Sequence, residues 1–110
     1  MSESAGSPLQ PGVVDRETAM TMSGLDLLRG WLEGRLPPAP IGSALDFRIV
    51  EVERGRVVFS GTPDARFLNP LGTVHGGYAA TLLDSCMGCA VHSMLEPGQG
   101  YTTLEIKVNY

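Results

Sequence analysis

The feature that most constrains the fold of this chain is an apolar stretch, residues 76–95, that holds one carboxylate, Asp84. A glycine pair, Gly76 and Gly77, opens the stretch, and residues 96–100 (EPGQG) are typical of a helix stop. The pattern predicts one central helix over residues 76–95, which the rest of the chain must cover. Its apolar stripe recurs at helical spacing and comprises Ala79, Leu82, Leu83, Cys86, Ala90 and Met94.

The start of this helix is suited to acyl chemistry. A helix N-terminus exposes backbone N–H donors and carries about half a positive charge, so it can stabilise a carbonyl oxygen that becomes negative. Asp84 lies further along and shares one helix face with the small residues Gly77, Ala80 and Gly88. Two interpretations stay open: a ligand trench beside a catalytic carboxylate, or a solvated carboxylate on a helix closely packed against a sheet.

The loop before the helix contributes two further polar side chains. Asn69 precedes a proline and is by default a turn residue, with the positioning of a water molecule as its alternative role. His75 stands directly before the glycine pair, where capping or packing is the favoured role and orienting a carbonyl or a water molecule is the alternative.

The first half of the chain predicts a tail, a helix and a hairpin. Residues 1–16 predict a disordered tail, and residues 17–110 predict one domain. Leucines and Trp31 at helical spacing predict an amphipathic helix over residues 24–36, ended by the proline cluster that follows it. Strands are predicted over residues 45–52 and 56–61 as a hairpin, followed by a loop to residue 74.

A third strand is predicted over residues 101–110, which are rich in Thr, Ile, Val and Tyr. Three strands would leave much of the central helix uncovered and the sheet edges unpaired. We therefore expect that another chain completes the fold and that the sequence is a fragment of a longer one.

Composition excludes several classes of function. The net charge is −4, Lys107 is the only lysine, and no run of arginines forms a phosphate-binding stripe, so nucleic acid is not an expected partner. No apolar run reaches the ~18 residues of a membrane span, and no secretory signal opens the chain. A cytoplasmic location, without membrane attachment, is the resulting expectation.

Cys86 and Cys89 form a C-x-x-C pair, but they lie in the middle of the predicted helix. Redox motifs of this spacing place their thiolate at a helix N-terminus, and His92 alone would not complete a zinc site. We interpret both cysteines as small buried hydrophobes, and no metal site is predicted.

The run from Asn69 to Asp84, NPLGTVHGGYAATLLD, resembles the signature of hotdog-fold acyl-CoA thioesterases of the phenylacetate-degradation (PaaI-like) type. Residues 105–110, EIKVNY, are similar to the strand that follows the central helix in that family. The resemblance covers about residues 24–110. It implies an α+β hotdog fold, with an antiparallel sheet wrapped around the long helix and further strands after residue 110. It also implies dimers that pair sheets edge to edge, and often tetramers.

The resemblance implies a role for each site residue. Asp84 acts as the general base on water or as the nucleophile, and Gly76 supplies the N–H that polarises the thioester carbonyl. His75 and Asn69 position the carbonyl or the water. Related enzymes carry a hydroxyl residue one turn after the acid, a position that is glycine here. The residues given a substrate contact are Gly77, Ser85 and Gly88, with Ser85 as a nearby substitute for that hydroxyl.

The resulting prediction is an acyl-CoA thioesterase that releases the free acid and coenzyme A. Coenzyme A is part of the substrate, so no cofactor is expected. The site is expected at the interface of a homodimer or homotetramer. A non-catalytic acyl-CoA binding module on the same fold is the alternative, and a hotdog dehydratase ranks last because its His–acid pair is not found in its usual context. The acyl group and the thiol carrier stay open.

Overall fold

The structure, a computed structural model, describes residues 9–110, and residues 1–8 of the predicted tail lie outside the described residues. It combines helices with a two-stranded antiparallel sheet. A 3₁₀ turn at Ala65–Phe67 precedes the last helix. In chain order the other elements are α1 (Arg16–Thr21), α2 (Gly24–Leu32), α3 (Pro40–Leu45), β1 (Phe47–Glu53), β2 (Arg56–Gly61) and α4 (Gly76–His92).

Strands β1 and β2 form the predicted hairpin. They pair antiparallel, with Phe47 opposite Gly61 at the open end. Gly55 in the connecting turn has a φ of +80°, a conformation that glycine adopts without steric cost. Strand β1 begins later than predicted, because Leu45 belongs to helix α3.

Helix α2 ends at Leu32, earlier than the predicted end at residue 36. Gly34 follows with a φ of +78°, and the N–H groups of Gly34 and Arg35 donate to the carbonyls of Trp31 and Gly30 at 3.3 and 2.8 Å. This glycine-centred C-cap satisfies the last carbonyls of the helix. The predicted boundary was wrong because it took the proline cluster, rather than Gly34, as the stop.

A short helix, α3, occupies a stretch that was predicted as helix stop and strand start. Pro40 lies in its first turn, where a missing N–H costs nothing. Asp46 ends the helix in the left-handed region with a φ of 59°, which aspartate tolerates better than most residues. The same prolines that cannot continue α2 therefore help to start α3.

Residues 101–110 form no regular secondary structure, so the prediction of a third strand was wrong. The sheet in the described part of the chain consists of β1 and β2, and it packs on one side of α4 rather than wrapping around it. A strand needs a hydrogen-bonded neighbour, and residues 101–110 pair with neither strand of the hairpin. Their side chains contact α4 instead.

The core lies where α2 and β2 pack on α4. Burial of side chains of this size contributes about 1.5–3 kcal/mol each. Tyr78 anchors the first turns of α4, because its ring stacks on Phe67 at 5.3 Å between centroids. The buried hydrophobic residues are Leu27, Leu28, Phe47, Val57 and Tyr78.

Helix α4 begins at the predicted residue and ends at His92, three residues before the predicted end at residue 95. Ser93 follows and is 1% exposed. Its hydroxyl donates to the Ala90 carbonyl and accepts from the Gly55 N–H, both at 2.7 Å. One buried hydroxyl thus joins the end of α4 to the turn of the hairpin.

Replacing Ser93 with alanine is expected to destabilise the protein by about 1–3 kcal/mol, because the Gly55 N–H loses its acceptor. Denaturant unfolding measures the change. Ser60→Ala, at an exposed position of β2, is the control and is expected to stay within about 0.5 kcal/mol of the parent. Equal destabilisation by the two variants would contradict this role for Ser93.

Candidate active site

The loop before α4 is organised by Asn69. Its side-chain oxygen accepts from the N–H groups of Leu71 and Thr73 at 2.9 and 3.2 Å, and its amide nitrogen donates to the Thr73 hydroxyl at 2.8 Å. These bonds form a turn of the kind that asparagine side chains stabilise. The structure therefore places Asn69 in its default role, as the residue that stabilises the turn before α4.

His75 caps helix α4. Its Nδ1 accepts the Gly77 N–H at 2.8 Å, so Nδ1 is unprotonated and the neutral ring carries its proton on Nε2. The Gly76 N–H has no hydrogen-bond partner among residues 9–110. The capped terminus consequently offers two donors, the Gly76 N–H and the His75 Nε2–H, on the side where the helix dipole is positive.

A depression of about 370 Å³ lies beside this terminus, and His75 and Gly77 are in its lining. Arg66 also lines it and forms a bidentate ion pair with Asp64, with a shortest N–O distance of 2.8 Å. Anionic groups are favoured at such a terminus, and the depression is large enough for part of a substrate.

Asp84 accepts a hydrogen bond that the sequence did not predict. The Thr103 hydroxyl donates to Asp84 Oδ1 at 2.8 Å and orients the carboxylate. Ser85, the predicted substitute for the family hydroxyl, forms no such bond among the described residues and faces an apolar cavity instead. The sequence contains one indication of a role for Thr103, which is that it lies in a threonine- and tyrosine-rich segment after the helix. The contact itself could not be predicted, because it depends on how residues 101–110 lie on α4.

Residues 101–110 run along α4 in the opposite direction. Tyr101 packs on His92, with 5.6 Å between ring centroids, and its hydroxyl fills the space beside Gly88. At the other end the Tyr110 hydroxyl donates to the Gly76 carbonyl at 2.6 Å. The space predicted as a trench at Gly88 is occupied by this segment of the same chain.

One chain does not bring the two halves of the candidate site together. Asp84 follows Gly76 by eight residues in the same helix, which is about 12 Å along the axis at a rise of about 1.5 Å per residue. A carboxylate acts as base or nucleophile only within hydrogen-bond reach of the reacting group. Within a single chain, the donors of Gly76 and His75 and the carboxylate of Asp84 therefore cannot act on one thioester.

The two cysteines are part of the packing of α4. Cys86 donates its S–H to the Val57 carbonyl at 3.2 Å, and burial raises the pKa of the Cys89 thiol to about 11. A thiol with so high a pKa is uncharged at neutral pH and a poor nucleophile or ligand. Within residues 9–110 no three His, Cys, Asp or Glu side chains are grouped as a metal site.

The basic residues Arg54, Arg56, Arg66 and Lys107 differ in how they are paired. Arg66 is bound to Asp64, and Arg56 forms ion pairs with Glu51 and Glu53 at 2.9 and 4.0 Å. Arg54 and Lys107 form no ion pair with the residues that the structure describes. In this same part of the chain, no helix has the length and apolar character needed to cross a bilayer.

Comparison with protein families matches residues 71–110 to the thioesterase superfamily. The match spans the start of α4, Asp84 and Thr103, and it leaves out α1 to α3 and the hairpin. Comparison with curated proteins found no significant match, and comparison with solved structures found none either. The superfamily match supports a hotdog-type architecture and thioester hydrolysis as the general chemistry, while the phenylacetate-degradation type stays a prediction.

Proposed function

We propose that this protein hydrolyses acyl-CoA thioesters at a site assembled from two copies of the chain. The observation that carries the proposal is the capped start of α4, where the Gly76 N–H has no partner among the described residues. It lies inside the segment that matches the thioesterase superfamily. A thioester carbonyl placed there would accept from the Gly76 N–H and the His75 Nε2–H.

The reaction then needs a base or nucleophile from the other copy. Asp84 of the partner subunit takes a proton from water while the water oxygen attacks the carbonyl carbon, or its carboxylate attacks directly and forms an anhydride that water opens. In either case negative charge develops on the carbonyl oxygen, and the donors at the α4 terminus stabilise it by a few kcal/mol. Collapse of the tetrahedral intermediate breaks the C–S bond, and coenzyme A leaves as a thiol once its sulfur has taken up a proton. On the general-base route that proton is the one Asp84 took from water, and on the nucleophilic route it comes from solvent water.

A mixing experiment tests both the reaction and the shared site. His75→Asn keeps a side chain that caps helices well but removes the Nε2–H donor, and Asp84→Asn removes the carboxylate. Each variant alone is expected to release little thiol from acyl-CoA. Mixed and allowed to exchange subunits, they are expected to recover activity, because some assemblies then contain one site with both native halves.

The outcomes separate the alternatives. Thiol release by the parent with no recovery on mixing would show that the two halves do not come from different chains. Acyl-CoA binding without any thiol release by the parent would favour the non-catalytic binding module. A parent protein that neither binds nor hydrolyses acyl-CoA would overturn the proposal.

A further inference from the structure

A cavity of about 470 Å³ lies between helices α2 and α3, the hairpin and one side of α4. Its size falls in the range of pockets for small ligands. Phe47 and Phe59 of the hairpin and Leu28 and Trp31 of α2 are in its wall, and so is the half-exposed Ile41 of α3. The superfamily match does not account for this cavity, because most of its wall comes from residues 9–59.

The chemistry of the wall selects an uncharged, apolar ligand. Among the described residues that line the cavity, Arg48 alone carries a charge, and the rest are predominantly aliphatic or aromatic. The polar groups on the α4 side are the Ser85 hydroxyl and the Cys89 thiol, and the raised pKa of that thiol keeps it uncharged. Ligand pockets typically combine such an apolar wall with a few polar groups.

The cavity also reaches the candidate active site. It meets α4 at Ser85, the residue after Asp84, and at Cys89 one turn further on. Tyr101 closes that side, two residues before the Thr103 that donates to Asp84. A chain attached to a carbonyl near Asp84 could therefore enter the cavity beside Tyr101.

We propose that this cavity holds the acyl chain of the thioester, and that the chain is an uncharged apolar one whose length is selected by α2 and α3. This inference rests on the proposed function, which identifies the ligand as a thioester. It adds the substrate class and assigns Trp31 and its neighbours on α2 and α3 as specificity-determining residues.

The protein carries a probe for this test, because Trp31 is its only tryptophan and lines the cavity. Bromine quenches tryptophan fluorescence on contact. The Asp84→Asn variant, which is expected to bind without turnover, is titrated with decanoyl-CoA brominated at the chain end, with unbrominated decanoyl-CoA and with coenzyme A. Burial lowers the pKa of His92, which neighbours Trp31 at 6.2 Å between ring centroids, so mildly alkaline buffer keeps that ring neutral throughout.

The expected result is saturable quenching of Trp31 fluorescence by brominated decanoyl-CoA, with no such quenching by unbrominated decanoyl-CoA or by coenzyme A. Thiol release by the parent without bromine-specific quenching in the variant would overturn the cavity assignment and leave the proposed function intact. Quenching by a protein that releases no thiol would support the cavity and remove the proposed function. If the parent releases no thiol and the brominated chain does not quench Trp31, both the cavity assignment and the proposed function would be overturned. The same conclusion holds if quenching is absent because a second chain covers this face of the protein.

A second arm measures specificity by substitution. Ile49→Glu places a charge in the cavity wall, and Val50→Glu places the same charge at the next residue, which is half-buried and outside the lining. The Ile49 variant is expected to lose about tenfold or more in kcat/KM for decanoyl-CoA with little change for acetyl-CoA. Equal losses for both substrates, or the same profile in the Val50 variant, would contradict selection by this cavity. The fluorescence-quenching experiment uses neither the Ile49 nor the Val50 variant, so it still tests the cavity if one of them fails to fold.

Discussion

Replacing Asp84 with asparagine is expected to reduce thiol release from acyl-CoA by about 100-fold or more, the effect of removing a general base or a nucleophile. Asparagine has nearly the same shape, and its side-chain oxygen can still accept from the Thr103 hydroxyl, so the local structure is expected to persist. The loss should appear in kcat, because the carboxylate acts on the reacting atoms rather than on binding. Steady-state kinetics on a panel of acyl-CoAs measures it, with circular dichroism as the check of folding.

The threonine pair beside this carboxylate provides a matched comparison. Thr103→Val removes the donor to Asp84 and is expected to lower kcat by about tenfold while KM stays nearly constant, since the carboxylate loses its orientation but remains present. Thr102→Val is the control, because among the described residues the bond to Asp84 comes from Thr103. Activity of Asp84→Asn within twofold of the parent would remove Asp84 from the mechanism.

Replacing Gly24 with alanine is expected to lower Tm by about 10 °C or more. Gly24 is buried in the first turn of α2, and its N–H donates to the Leu95 carbonyl at 3.0 Å. A Cβ at this position would overlap the carbonyl oxygen of His92. That atom belongs to the backbone at the end of α4, so relief requires α2 and α4 to move apart, and the hydrogen bond to Leu95 would be lost with it.

Gly100→Ala is the matched control for this substitution. A Cβ at Gly100 meets no atom within 4 Å, and the residue is exposed. The same added methyl group is expected to leave Tm unchanged or to raise it slightly, because alanine restricts the unfolded chain. Thermal unfolding of both variants decides the matter: a Tm of Gly24→Ala equal to that of the control would contradict the close approach of the two helices.

The elements that were predicted well depend on neighbours in the sequence. The start of α4 at Gly76 and the hairpin around Gly55 are local features, determined by capping, by hydrophobic spacing and by a glycine in a tight turn. The capping role favoured for His75 was confirmed for the same reason, since its acceptor lies two residues from the N–H it binds. The errors at the ends of α2 and α4 were boundary errors, where a glycine C-cap and a buried serine ended the helices earlier than the proline and glycine clusters.

The amino-acid sequence by itself determined the long helix, its capped N-terminus and the position of Asp84 on it, because helical periodicity and capping act over a few residues. Only the tertiary structure decided that residues 101–110 lie along α4 without pairing in the sheet, and that Thr103 therefore donates to Asp84. It also decided that α2, α3 and the hairpin enclose an apolar cavity beside that carboxylate. Such contacts join residues far apart in the chain, and their geometry follows from how whole elements pack rather than from any local pattern.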